Sequence, residues 1–149
     1  MTIYFATDHA GFELKNTIIA FVRDELGYDV VDCGAETLDP EDDYPDFISL
    51  AARAVSEDPV NRRAIIFGGS GQGEAMVANK FPHVRAAVFY GVHKRIATLS
   101  REHNDANIIS LGARFVTIEE AKDAVREWLL TPFSGEERHT RRIQKMEQL

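Results

Sequence analysis

The run Ala64-Ile65-Ile66-Phe67 reads as a buried strand and passes directly into Gly68-Gly69-Ser70-Gly71-Gln72-Gly73-Glu74, after which Ala75 to Lys80 has helical composition. Strand, glycine loop and helix start in that order belong to sheets whose strands are followed by helices. The same junction turns bare backbone N–H groups toward an anion. Glycine lets the chain approach a ligand closely and take a positive φ at no steric cost. Glu74 is the odd member. A loop built only to hold an anion gains nothing from a carboxylate there, whereas a base that removes a proton beside a stabilised anion would stand in that place.

Strand and helix patterns alternate along the rest of the chain. Thr2 to Ala6 is rich in β-formers. Phe12 to Leu26 predicts a helix with Leu14, Ile18, Phe21, Val22 and Leu26 on one face and Gly27 at its C-terminal cap. Asp29 to Cys33 is a second strand, Gly34 to Tyr44 a polar loop, and Asp46 to Val55 a helix burying Ile48, Ala51, Ala52 and Val55. After the glycine loop come a strand over Arg85 to Tyr90, a helix over His93 to about Glu102, and a strand over Ile108 to Leu111. Thr117 and Glu120 form a capping-box pattern ahead of a helix burying Ala121, Ala124, Val125, Trp128 and Leu129. A last helix is expected from about Gly135 to the end, with Ser134 as its N-cap. This alternation predicts an α/β fold, a doubly wound, Rossmann-like αβα sandwich on a five-stranded parallel sheet, with an extra C-terminal helix and one domain over residues 1–149.

In such sheets ligands bind beyond the carboxyl ends of the strands. The polar clusters follow that rule. Asp8 and His9 come after the first strand, Asp43 and Tyr44 after the second, the glycine loop after the third, His93 after the fourth and Arg114 after the fifth. Arg138 and Arg142 are four apart at the start of the last helix, so they share a face and could fork a phosphate between them; alone they read as a solvated basic face. The connection Arg101-Glu102-His103-Asn104-Asp105-Ala106-Asn107 brings an acid–base imidazole and a carboxamide able to meet a hydroxyl.

Several function classes fall away. The first strand-to-helix turn, Asp8-His9-Ala10-Gly11, lacks the dinucleotide fingerprint, and the glycine loop lacks the Lys-Ser/Thr ending of a nucleotide P-loop. A receiver module needs an acceptor aspartate where this chain has Gly68-Gly69, and a flavin binder a hydroxyl-rich loop where it has Asp8-His9-Ala10-Gly11. A formal charge of −7 argues against general nucleic-acid binding. No apolar run approaches a membrane span, and the N-terminal residues predict no signal peptide. The single cysteine, Cys33, reads as a small core residue; it leaves no internal disulfide and suits a reducing cytosol.

Taken in order, Asp8-His9-Ala10-Gly11, Asp43-Tyr44-Pro45, Gly69-Ser70-Gly71-Gln72-Gly73, Ala78-Asn79-Lys80, Arg101 to Asn107, Gly112-Ala113-Arg114 and Arg138 to Arg142 resemble the family of ribose-5-phosphate isomerase B and the galactose-6-phosphate isomerase subunits. The resemblance spans nearly the whole chain. It implies an aldose–ketose isomerase of sugar phosphates working without metal or organic cofactor, and a homodimer, sometimes paired into a tetramer. One branch of the family starts the glycine loop with a cysteine base. This chain has Gly68 there and resembles the branch with a glutamate just after the loop, at Glu74.

On that resemblance Glu74 would carry a proton between C2 and C1 of ribose 5-phosphate through a cis-enediolate, met by Ser70 and the amides of Gly69, Gly71, Gln72 and Gly73. His103 and Asp8 would open the sugar ring. Arg138 and Arg142 would hold the phosphate with His9 and His139 nearby, while Asn104 and Arg114 would orient hydroxyls or touch the phosphate. Tyr44 and the loop Gly91-Val92-His93 would border the far end of the sugar, where a tetrose 4-phosphate or a hexose 6-phosphate remains an alternative. A sugar-phosphate sensor without activity is the other alternative. The resemblance further implies a pocket shared between subunits, with His103, Asn104 and Arg114 from one chain and the glycine loop from the other.

Overall fold

β-branched and aromatic side chains alternate in and out along five short strands, and in the computed structural model, which describes residues 1–91, 93 and 95–149, these form one parallel sheet. The strands are β1 (Thr2–Thr7), β2 (Asp29–Asp32), β3 (Arg62–Gly68), β4 (Ala86–Phe89) and β5 (Ile108–Gly112), in spatial order β2-β1-β3-β5-β4. The helices are α1 (Phe12–Ala20), α2 (Tyr44–Glu57), α3 (Gln72–Ala78), α4 (Arg95–Asn104), α5 (Ile118–Leu130) and α6 (Glu137–Met146). No described helix is long and apolar enough to cross a membrane.

The period-2 alternation of the strands divides the core into two layers. Ile3, Phe5, Ile65, Phe67, Ile109 and Leu111 point to the face covered by α1, α4 and α5. Ala6, Ala64, Ile66 and Ile108 point to the face covered by α2 and α3. Every residue expected on the inner faces of α2 and α5 is buried, Trp128 fully so. Because β1 and β3 are neighbours while their crossovers leave in opposite directions, the gap beyond their carboxyl ends is the switch point of the sheet.

Local differences from expectation have local causes. The first helix widens into a single π turn at Phe21–Glu25, so that Phe21 and Val22 both reach the core before Gly27 turns the chain at φ 75°. Asp43 is extended and Pro45 sits in the first turn, which starts α2 at Tyr44, two residues early. The last helix starts at Glu137 and ends at Met146. Ser134 is not its N-cap: its hydroxyl accepts from the Glu136 N–H at 3.4 Å in a turn ahead of the helix, and Glu136 takes the cap position without a side-chain bond. Cys33 is half-buried at the rim of the second layer rather than in the core.

Three polar side chains fasten the frame. Asn79 pairs with both backbone groups of Ala86, continuing the edge of β4 (2.8 and 3.0 Å). Asn107 accepts from the Arg85 N–H and donates to the His83 carbonyl. Buried Lys15 donates to Asp32 at 2.5 Å and to the Ala35 carbonyl, tying α1 to the segment that leads toward α2.

Candidate active site

The glycine loop is held by its carbonyls, leaving its N–H groups available. Gly68 O accepts from Ala113 N (2.8 Å), Gly69 O from Arg114 N (3.1 Å), and Gly71 O from the buried Ser110 hydroxyl (2.7 Å). Among the described residues the N–H groups of Gly69, Ser70 and Gly71 have no acceptor. Three consecutive free amides make an anion-binding concavity. Gly71 turns into α3 at φ 77°, a conformation that favours glycine, and a Cβ on Gly112 would stand 2.8 Å from the Ser70 carbonyl.

Glu74 lies in the first turn of α3 and is 5% exposed. Its carboxyl folds back over Gly68: a Cβ on Gly68 would overlap Glu74 Oε1, Oε2 and Cδ together. The absence of a side chain at 68 is therefore what gives the Glu74 carboxyl its place. Burial pushes its pKa up, and the nearby Asp8 carboxylate adds to the rise, against a backbone hydrogen bond that lowers it. A carboxyl so placed is a better proton acceptor once ionised, and it sits beside donors for the anion that its action would create.

The neighbouring strand ends complete the surroundings. Asp8, 6% exposed, accepts from Ala10 N and caps the short turn His9–Gly11. His9 receives a partner that its sequence position does not announce: Asp42 Oδ1 lies 2.7 Å from His9 Nδ1 and accepts from His9 N at 2.9 Å. The hydrogen bond to Asp42 raises the His9 pKa, ahead of the charges of Asp8 and Asp42, while burial and Arg114 act the other way. Asp8, His9 and Asp42 also bring three donor atoms within 4.8 Å, but their geometry is that of a hydrogen-bonded charged cluster. The Tyr44 phenol covers Gly73, where a Cβ would meet its hydroxyl at 2.7 Å. Ser70 Oγ accepts from Gln72 N at 3.4 Å, and Gln72 is exposed.

Arg114 corrects one expectation. Its guanidinium lies over Gly69, 3.3 Å from where a Cβ would stand, and its charge reaches His9. It therefore belongs with the glycine loop of its own chain, not with His103 and Asn104. The cause is the register of β5 against β3, which pairs Gly112 with Gly68 and sends the next two residues across the loop.

The remaining expected site residues stand elsewhere. His103 and Asn104 end α4, just before β5 begins, and so lie toward the amino ends of the strands. β5 rises over about 13 Å between its ends at roughly 3.3 Å per residue. The His103 and His139 rings stack at 4.3 Å with 13° between their planes. His139 is buried, its Nε2 has no partner, and burial and His103 hold its pKa down. Arg138 pairs with Glu136, and Arg142 is exposed on the same helix. Within a single chain His103 does not meet Asp8, and the arginine pair does not meet His9. His93 is exposed beyond β4; Val92 of that loop lies outside the described residues.

A family model described as Ribose/Galactose Isomerase matches residues 3–146. Ribose-5-phosphate isomerase B of Mycolicibacterium paratuberculosis is 45% identical over 143 residues, covering 96% of this chain and 87% of that protein. The protein of that name from Escherichia coli is 39% identical, covering 95% and 91%. Ribose-5-phosphate isomerase B of Mycoplasma genitalium, solved with bound ribulose-5-phosphate, superposes with a TM-score of 0.92 at 38% identity, over 99% of this chain and 94% of that one. The type B enzyme of Trypanosoma cruzi gives 0.91 at 38% identity, over 99% and 97%. With the fold and nearly the full length matched, this chain belongs to the ribose/galactose isomerase family.

Proposed function

We propose that this protein interconverts ribose 5-phosphate and ribulose 5-phosphate, with Glu74 as the base. The observation that carries the proposal is the buried Glu74 carboxyl seated over Gly68, beside three amides without acceptors. Glu74 takes the proton from C2 of the open-chain aldose, and the electron pair of that C–H bond becomes the C1–C2 double bond of an enediolate. The negative charge rests on oxygen, facing the amides of Gly69 to Gly71 and the Ser70 hydroxyl. The hydroxyl proton on O2 passes to O1 across the cis-enediolate, and as O2 closes the C2 carbonyl the C1–C2 double-bond pair takes the proton back from Glu74 at C1, which yields the ketose. A buried carboxyl suits both transfers, because its raised pKa brings it nearer to neutral working pH.

The groups for ring opening and phosphate binding, His103, Asn104, Arg138, His139 and Arg142, come from a second copy. What supports this is their distance from the glycine loop within one chain, together with the family's reading of them as site residues. Arg114 and His9 stay with the loop, so the phosphate is met from both chains. The working unit is then a homodimer, alone or paired, acting in the cytosol.

The test is turnover of ribose 5-phosphate by wild type and Glu74→Gln. The amide is isosteric but cannot accept the proton, so kcat should fall by about 10²- to 10⁴-fold while ribulose 5-phosphate still binds. Wild-type-like turnover in the variant removes Glu74 from the role. A panel of four- and six-carbon sugar phosphates fixes the chain length.

A further inference from the structure

Asp42 is a part-buried carboxylate with an unusual balance of partners. Its side chain is 10% exposed, Oδ1 receives both the backbone N–H and the ring Nδ1 of His9, and Oδ2 is buried with no partner. An anion that has lost its water and has one idle oxygen is costly unless a cation stands against it. His9 is the cation within reach. The other charges facing the ring are Asp8, whose Oδ2 is 3.9 Å from Nδ1, and Arg114, while Glu13 of α1 lines the same groove. Asp8 favours the protonated ring and Arg114 opposes it, so Asp42 decides the balance.

We propose that Asp42 is a positioning residue that holds His9 in one orientation as an imidazolium, leaving Nε2–H as a charged donor for the phosphate of the substrate. The two bonds to Asp42 Oδ1 fix both the start of the turn and the ring, so the donor is set before the ligand arrives. With Nδ1–H committed to Asp42, a neutral ring would present a lone pair at Nε2, which repels a phosphate dianion; the protonated ring presents N–H instead. The proposal rests on the reading of His9 as a phosphate contact.

The test follows the His9 ring by NMR titration in the substrate-free enzyme, with His9→Gln to assign its signal, and then follows KM for ribose 5-phosphate between about pH 6 and pH 9. In Asp42→Asn the His9 midpoint should fall. At pH values between the two His9 midpoints KM should rise by up to about tenfold, the worth of one charge-assisted hydrogen bond, with the gap closing at more acid pH and kcat little changed. Asp42→Glu, which keeps the charge, should retain much of the raised midpoint and guards against a misfolded asparagine variant. An unchanged His9 midpoint in Asp42→Asn overturns the proposal. A lowered midpoint with an unmoved KM overturns its phosphate half and removes His9 from the substrate contacts, leaving Glu74 untouched. Should the wild type fail to turn over ribose 5-phosphate, the isomerase reading fails separately, and the titration with inorganic phosphate as the probe still decides what Asp42 does.

Discussion

Replacing Gly68 with alanine isolates one steric relation that the proposed chemistry depends on. The backbone at 68 is ordinary strand and accepts an L residue, so strain in φ plays no part. The whole effect comes from the added methyl, whose position is already filled by the Glu74 carboxyl. Non-bonded carbon and oxygen atoms need about 3.5 Å, so the carboxyl must retreat by more than about 1 Å. A displacement of that size at a reacting group costs on the order of 10²-fold in kcat, and full loss of the base up to about 10⁴-fold. Overpacking the buried site should also cost about 1–3 kcal/mol of stability, and each kcal/mol moves the melting midpoint by about 2–4 °C. The assay is steady-state turnover of ribose 5-phosphate together with thermal denaturation, applied also to Glu74→Ala and to the double variant. In the double variant the carboxyl is gone, so most of the stability cost of the methyl should vanish as a coupling between the two positions. Gly68→Ala with kcat within about twofold of wild type, or a stability cost that simply adds in the double variant, would refute the reasoning.

The other predictions concern pH and substrate affinity. The raised pKa of Glu74 places the acid limb of kcat/KM above the ordinary carboxylate range, so activity is lost as pH falls through that raised value. The same shift has a sign for stability. The folded state holds the Glu74 proton longer than the unfolded chain does, so stability falls as pH rises from the ordinary carboxylate value through the raised one, and stays lower above it. Glu74→Gln lacks that loss. It should therefore melt higher than wild type at neutral pH by an amount that shrinks on acidification; an equal or lower midpoint at neutral pH contradicts the burial argument. Arg142→Ala should raise KM with little change in kcat, because phosphate is held alike in ground and transition states. A lowered kcat at unchanged KM would take Arg142 out of phosphate binding.

Much of the architecture was legible because it is written in local periods. The inner stripe of α5 and the capping box of Thr117 and Glu120 repeat at helical spacing, and both are present as expected. The glycine loop and Glu74 are neighbours in sequence, so their meeting needed no long-range information. What escaped were contacts across the chain. Asp42 lies 33 residues from His9 in a stretch that reads only as a polar loop, and no spacing rule joins them. The overlap of Gly68 with the Glu74 carboxyl depends on how the first turn of α3 folds back over the end of β3. Arg114 follows the glycine loop because of the pairing of β5 with β3, a register that the alternation of elements leaves open. The cap of the last helix differs for a smaller reason: the Ser134 hydroxyl closes a turn onto Glu136, and the helix begins only after that turn, at Glu137.

The placement of His103 and Glu74 at opposite ends of the sheet gives the protein a genetic signature. If each pocket draws its base from one chain and its ring-opening imidazole from the other, two inactive alleles can repair each other. Mixed subunits of Glu74→Gln and His103→Ala would build one pocket carrying both lesions and one carrying neither. Random pairing would then restore about a quarter of wild-type turnover from two parents that have almost none.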